Sequence, residues 1–542
     1  MFAIGIYLGI LSYSIFGLGL VGLLYRPLVI LVTLLVTAGF GIYIWFNSSL
    51  RGGQWRLLRF ARYQTVLGVA RNDRRWNKLL IFSIILLILQ SIINLIGTLG
   101  PELGFDALWY HLTLPKIYLL YHQVVHIPGG LLYYSDIPKL TEMLYVVGLS
   151  LGSEIFPKLM HFGFGILSLI ALYILARKFF SPKIAMLAPL IFASNLVFGW
   201  ESISAYVDLA RTFFEILAFL AFVYWTEGKE DKYLIESAVF LGLAITSKFL
   251  AIGSLLIFLT LIVYVCKQQR KSLRAIITSL LSFILISVII PLPWFVFSYL
   301  HTGNPFYPFF SQAYPSHISW NLGRFWDVFS NAADPLSPIY LACVPLFLFF
   351  WKMVDKKLSL VGIYSIAALF IWYITPDTGG GRFLLPYLPV LSIAICSLFT
   401  IKGNDVLKKS LLGFIFLTVI ISIGYRGVAN AKFIPVILGY EKKQHFLSSH
   451  LNFSFGDFAD TDGYFRRNIK PTDKVLLYGF HNLYYVDFPF IDNSWVKKGD
   501  SFAYIAVQDG KLPERFKYWN LIYMNTTTGV KLYSAGGFTW TY

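Results

Sequence analysis

Charge is scarce in this sequence. Only 13% of the 542 residues are Asp, Glu, Lys or Arg, against 57% that are hydrophobic, a surplus of apolar side chains that a soluble core cannot absorb. Acidic residues are the rarer sign, 28 against 45 basic ones, so each carboxylate in the apolar part of the chain stands out. Cysteine is nearly absent. Cys266, Cys343 and Cys396 lie in or at the edge of apolar runs, which argues against a disulfide framework or a thiolate metal site. The chain has no Walker A loop or CxxC pair, so the usual marks of P-loop and dithiol chemistry are missing. The first apolar run, 2–25, has no basic segment ahead of it and exceeds a signal-peptide core. It reads as a retained helix.

What the chain has instead is long apolar runs. A helix of about 20 apolar residues crosses the roughly 30 Å of a bilayer's hydrocarbon, and helices are the default because lipid offers backbone amides no partner. Candidate spans fall at 2–25, 27–46, 79–99, 156–176, 184–199, 208–226, 233–249, 250–266, 275–299, 338–351, 358–374, 383–399 and 410–425. The fold class expected is therefore an all-α polytopic membrane protein with about thirteen helices. Alternate connections carry the basic residues: 51–78, 177–183, 227–232, 267–274, 352–357 and 402–409 hold 23 Lys and Arg in 63 residues. The opposite set, which includes 100–155, 200–207, 300–337 and 375–382, holds 6 in 114. By the positive-inside rule the first set is cytoplasmic, the amino terminus with it, and the carboxyl-terminal tail lies outside. The net charge of +17 is thus a membrane-surface feature, and no nucleic-acid partner is expected.

Three regions follow. Residues 1–78 hold two helices and a basic loop; 79–425 form the main membrane domain, with long outer loops at 100–155 and 300–337; 426–542 form a tail of different character. The loops are rich in aromatics and proline, and Ala107–Gln123 reads as an amphipathic helix broken at Pro115 and resting on the headgroup layer. The tail mixes 14 basic with 10 acidic residues. Its stretches Lys474–Gly479 and Asn520–Met524 read as buried strands of a small α/β domain outside the membrane.

Ionisable residues at outer helix ends carry the chemical information, because charge in or beside hydrocarbon is costly unless it is paired or used. Asp106, in GFDALWYH, is either a general base that takes a proton from a hydroxyl or a helix N-cap. Asp208, Arg211 and Glu215 share one helical stripe at i, i+3 and i+7, with Glu201 in the preceding turn ESISAY. They form either a structural ion pair or a catalytic or phosphate-positioning cluster. Lys248, in AITSKFLAIG, either meets a phosphate or snorkels to the interface. Arg382 follows three glycines, 379–381, which allow close backbone approach beside a guanidinium suited to phosphate oxygens. His122 and His126 have the i, i+4 spacing of a zinc-protease helix, but Gln123 stands where such chemistry needs glutamate. No metal is assigned; a divalent ion held near His111 and Asp106 stays open as an alternative.

These residues resemble the GT-C membrane glycosyltransferases, in particular the branch similar to protein O-mannosyltransferases and lipid A aminoarabinose transferases. The resemblance runs over roughly 79–425. It is carried by GFDALWYHLTLPK, by ESISAYVDLARTFF, by GLAITSKFLA, by PWFVFSYLHTGNPFYP and by GGGRFLLPYLP, in that order. It implies a GT-C-like fold and transfer of a sugar, usually with inversion, from a polyprenyl-phosphate donor to a glycan, lipid or protein acceptor at the outer face of a cell-envelope membrane. Carried over by position, Asp106 is the expected base and Asp208 a second catalytic acid. Lys248, Arg382 and Arg211 are expected at the donor phosphate, and Tyr110, His111 and Glu201 at the substrate. One departure is that the Asp-Glu pair typical of protein mannosyltransferases is Asp106-Ala107 here, which puts protein mannosylation in doubt. A transporter or flippase of lipid-linked glycans is the alternative. Such proteins place broken helices and polar groups at the midplane of paired repeats, whereas here the charges cluster at helix ends. A membrane scaffold, indifferent to Asp106 and Arg382, is a third reading.

Overall fold

The computed structural model describes residues 1–50, 74–228, 230–312, 321–332, 334–353, 355–375 and 380–540. Most of the expected basic loop 51–78, part of the outer loop 300–337, and Gly379 lie outside the described residues.

The described chain is a helical bundle with one small sheet at its carboxyl end. Eight helices are long and apolar enough to cross a bilayer: Phe2–Leu20, Arg26–Asn47, Lys78–Leu99, Ile155–Ala176, Asp208–Thr226, Phe249–Gln268, Lys356–Ile374 and Asp405–Ala431. A ninth passes as a pair, Leu273–Ile289 and Leu292–Thr302, bent by 58°. Pro291 lies at that bend and Pro293 just after it, each lacking the amide proton a continuous helix would use.

Eight or nine of the described helices are thus of full spanning length, and the remaining expected runs form shorter helices. Leu140–Leu151, Pro182–Ala193, Pro338–Phe349 and Leu388–Thr400 are apolar helices below spanning length, and Lys232–Ser247 has 16 residues. The run 184–199 breaks at Asn195, whose side chain donates to the Phe192 carbonyl at 2.8 Å and accepts the Ser337 amide at 2.9 Å. A side chain that bonds its own backbone in this way competes with helix continuation. Leu140–Leu151 lies in what the sequence suggests is an open outer loop, yet almost all of it is buried.

Helix Asp208–Thr226 is the axis of the bundle, with 17 of its 19 residues buried. It packs against Lys232–Ser247 on one side and Ile155–Ala176 on the other. A helix buried on all faces occupies such a centre, so its charged stripe of Asp208, Arg211 and Glu215 is held inside the protein.

The terminal domain carries five strands: β1 (Val475–Tyr478), β2 (Phe490–Asp492), β3 (Ser501–Gln508), β4 (Asn520–Met524) and β5 (Val530–Thr539). They are ordered β2-β1-β3-β5-β4, with β1 parallel to both neighbours and β5 antiparallel to both of its own. The two stretches read as buried strands from sequence are β1, which is buried, and β4, which is instead an edge strand and mostly exposed. The domain sits on the loop that carries Asp106. The Tyr484 amide donates to the Leu108 carbonyl at 3.2 Å, the Lys116 ammonium to the Tyr484 and Val486 carbonyls at 2.6 and 2.7 Å, and the Tyr485 hydroxyl to the Glu102 carbonyl at 2.9 Å.

Candidate active site

Asp106 precedes a π-helical turn, Ala107–His111, that runs into the helix Thr113–Tyr121. The expected break at Pro115 falls instead at Leu112, and Pro115 sits in the first turn of the second helix, where its missing amide costs nothing. Asp106 occupies the N-cap position but its carboxylate makes no capping bond. Its Oδ2 accepts from the Arg382 Nη1 at 2.7 Å and lies 3.4 Å from the Tyr110 hydroxyl, while its backbone amide donates to the Tyr206 hydroxyl at 3.1 Å.

Arg382 reaches this position from a short 3₁₀ turn, Gly380–Phe383. Gly380 has φ of +60°, and a Cβ on Gly381 would lie 2.8 Å from a Leu336 methyl, so glycine is what lets the chain pass there. The guanidinium lies over the rings of Tyr206 and Phe383, at 5.0 and 4.9 Å, and its Nε is 4.0 Å from Asp208 Oδ2. Asp208 Oδ1 in turn accepts from the Lys248 ammonium at 2.6 Å. Lys248 is placed by a break in the chain: its backbone is extended, φ −152° and ψ 117°, between Lys232–Ser247 and the turn Phe249–Ala251. Asp106, Arg382, Asp208 and Lys248 thus form a row of alternating sign. Asp208 is fully buried, while the Asp106, Arg382 and Lys248 side chains keep 16%, 19% and 14% exposure, so the row has a buried member flanked by ones a ligand can reach.

Glu201 lies beside this row, fully buried, and neither carboxylate oxygen has a hydrogen-bond partner among the described residues. Burial, reinforced by the Asp208 carboxylate, pushes its carboxyl well above the usual range, so it is held neutral. His161 Nε2 is 3.8 Å away. That nitrogen accepts the Leu209 amide at 3.1 Å, and Nδ1 lies 2.8 and 2.7 Å from the Glu201 and Ser204 carbonyls, a pattern that fits the neutral imidazole with its proton on Nδ1.

His111 turns away from Asp106. Its Nδ1 meets Glu142 Oε1 at 2.8 Å, with the Lys139 ammonium 3.7 Å from the same oxygen. Burial draws the imidazole down against the pull of Glu142. Arg211 stands apart from the row as well: its Nε donates to Glu215 at 2.7 Å and its Nη2 to the Tyr387 hydroxyl at 2.9 Å, while Ser254 and Tyr364 bond the other Glu215 oxygen. Among the described residues no three His, Cys, Asp or Glu side chains converge to hold a metal ion. His122 and His126 do not share a helix, since the helix ends at Tyr121; His122 stacks on Tyr25, and His126 pairs with Asp136 at 2.8 Å.

Sequence reasoning passed over Lys139, Glu142, His161 and Tyr206. Lys139 and Glu142 had a signal, as two charges three apart in an outer segment that holds few. His161 had one as an ionisable group inside an apolar run. Tyr206 had none beyond its place next to Asp208.

Residues 151–295 match the family model described as dolichyl-phosphate-mannose-protein mannosyltransferase. That stretch contains Asp208, Arg211 and Lys248 and stops short of Arg382. No curated protein sequence matches the chain. Among solved structures the chain is similar to ArnT from Cupriavidus metallidurans bound to undecaprenyl phosphate, at 12% identity and a TM-score of 0.56 over 84% of this chain and 98% of that one. It is similar to the same protein in the apo state at 13% identity and a TM-score of 0.58, over 84% and 97%. The Archaeoglobus fulgidus oligosaccharyltransferase in the apo form is similar over 78% and 69%, at 12% identity and a TM-score of 0.46. At these identities the likeness to ArnT is one of fold, and it is the GT-C-like membrane fold expected from the sequence.

Proposed function

We propose that this integral membrane protein is a glycosyltransferase that moves a sugar from a polyprenyl-phosphate donor to a hydroxyl or phosphate of a glycan, lipid or protein acceptor. The observation that carries this reading is the row Asp106, Arg382, Asp208 and Lys248 at one end of a GT-C-like bundle. The likeness of fold to a protein solved with undecaprenyl phosphate and the match to a dolichyl-phosphate-mannose family over 151–295 support the choice of donor. The positive-inside pattern supports a reaction on the non-cytoplasmic face. The division into a two-helix start (1–78), a catalytic bundle (79–425) and a terminal domain (426–542) belongs to the same proposal.

In this reading the acceptor oxygen attacks the anomeric carbon opposite the lipid phosphate. The bond between that carbon and the phosphate oxygen breaks, its electron pair leaves on the phosphate, and the hydroxyl proton passes to Asp106. Configuration inverts. Lys248 and Arg382 stabilise the charge that grows on the departing phosphate, and Asp208 holds both cations in position. Tyr110, beside Asp106, lies on the substrate side; His111, held by Glu142, and the fully buried Glu201 stand behind the row, and the Arg211–Glu215 pair fixes the helix that presents Asp208. In the structure Arg382 Nη1 occupies Asp106 Oδ2, the oxygen that an acceptor hydroxyl needs. The donor phosphate competes for Arg382, and as the guanidinium turns to it, Asp106 is released to accept a proton only when the donor is bound.

The test supplies purified protein in liposomes with labelled polyprenyl-phosphate sugars and candidate acceptors, alongside Asp106→Asn. Loss of at least about 100-fold in transfer is expected for loss of the base. Full activity in that variant counts against the assigned base, and passage of donor across the bilayer without any glycosidic product favours the flippase.

A further inference from the structure

A cavity of about 910 Å³ lies away from the charged row, between the loop helix Thr113–Tyr121 and the terminal domain. That is the size of a small-molecule pocket. One wall comes from the loop, with Ile117, Leu120 and Val125; the other comes from the domain, with Phe488, Ile491 and Trp495. The two walls are closely fitted beside it. Gly129 has φ of +97°, and a Cβ there would stand 1.9 Å from the Ser494 carbonyl oxygen.

Two further observations say what this cavity takes. The first is charge. Lys116, Arg466, Lys474 and Lys497 line it, against Asp487 and Asp500. Lys116 is satisfied by Asp487 at 3.0 Å, and Lys474 lies 3.6 Å from Asp500. Arg466 and Lys497 are exposed and, among the described residues, have no carboxylate within ion-pair distance. The second is position. Leu120 and Tyr121, on its rim, are 62% and 64% exposed. The residues that follow are bonded to the end of the first span: the Leu24 amide donates to the His122 carbonyl at 2.9 Å, and the Val124 amide to the Gly19 carbonyl at 3.1 Å. The apolar rim therefore meets the bilayer where the span Phe2–Leu20 leaves it.

We propose that this cavity is a binding site for a lipid whose phosphate head carries a net negative charge, drawn from the leaflet that borders the terminal domain. The chain lies along the apolar walls, and the head meets Arg466 and Lys497. Cationic side chains at a membrane surface favour an anionic lipid over a neutral one, and the apolar walls recover part of the contact the chain leaves in the bilayer. Because the loop and the terminal domain each supply a wall, an occupied cavity ties them together. This site is independent of the transferase reading and uses none of the residues assigned to it.

The experiment uses the full chain in nanodiscs of phosphatidylcholine containing a small fraction of lipid brominated on its acyl chain, either phosphatidylglycerol or phosphatidylcholine. The readout is the Trp495 contribution to quenching, obtained as the difference between the native chain and Trp495→Phe. Brominated phosphatidylglycerol is expected to quench that contribution at a concentration about tenfold lower than brominated phosphatidylcholine, and Arg466→Glu with Lys497→Glu is expected to abolish the preference. Equal quenching by the two lipids, no quenching of Trp495, or a preference that survives the double reversal overturns the proposal. Asp106→Asn is expected to bind the lipid like the native chain, so loss of transfer and loss of lipid binding are read separately.

Discussion

Asp208 and Glu201 are two buried carboxylates a few residues apart with opposite surroundings. Asp208 is compensated by Lys248 at 2.6 Å and approached by Arg382, whereas Glu201 has no cation bonded to it and is held neutral by burial and by Asp208. The consequence is asymmetric. Glu201→Gln replaces one neutral group by another of the same shape, and its effect on stability should stay within about 1 kcal/mol. Asp208→Ala leaves Lys248 without its partner and should cost about 3–5 kcal/mol, read as loss of folded protein on heating in detergent. A large cost for Glu201→Gln would show that Glu201 is ionised. Asp106, Asp208, Lys248 and Arg382 were legible in the sequence because each is an isolated charge in a charge-poor stretch, and isolation is visible without a fold. Their pairing was not legible, since Asp106 and Arg382 are 276 positions apart. For Arg211, helical periodicity gave the correct stripe with Glu215. Tyr387 and Ser254, which complete its surroundings, come from the turn before Leu388–Cys396 and from the helix Ile252–Gln268.

At the scale of elements, apolar run length predicts helix but not span. Asn195 ends one helix by bonding its own backbone and ties the break to Ser337, and Pro291 bends a run that reads as continuous. The buried helix Leu140–Leu151 is legible as apolar, yet nothing in its residues says that it packs inside the protein instead of resting on the surface. The strands were easier, because a short run such as KVLLYG between turn residues has few other solutions. The sheet carries its own pH response through Asp492 in β2. Burial raises this carboxyl to about 6, above the ordinary value near 3.8, so the folded domain binds the proton more tightly than the unfolded chain. Its stability is therefore greatest below about pH 4, falls as pH rises through about 6 and levels off above, a loss of about 3 kcal/mol. Asp492→Asn should remove that slope and make the domain more stable than the native one at pH 8 but not at pH 4. Amide-exchange protection of β1 and β3 in the full chain checks it, and an unchanged slope in the variant assigns the response to another group.

The whole molecule brings two parts into register that the sequence places far apart. The terminal domain is bonded to the loop carrying Asp106 through Tyr484, Tyr485 and Lys116, so the row of charges and the sheet share one end of the bundle. The charge pattern of the connections had already put both on one side of the membrane, and the contacts give that inference a physical form. In the proposed function the terminal domain lies over the acceptor side and the row of opposed charges is where a lipid phosphate and a hydroxyl meet, an arrangement suited to direct displacement at a sugar carbon. The anomeric configuration of the product tests that claim most directly. With a donor of known configuration, nuclear magnetic resonance of the product should show complete inversion, with one free polyprenyl phosphate released per sugar transferred. Retention of configuration, or lipid phosphate released with no glycoside formed, would contradict the account.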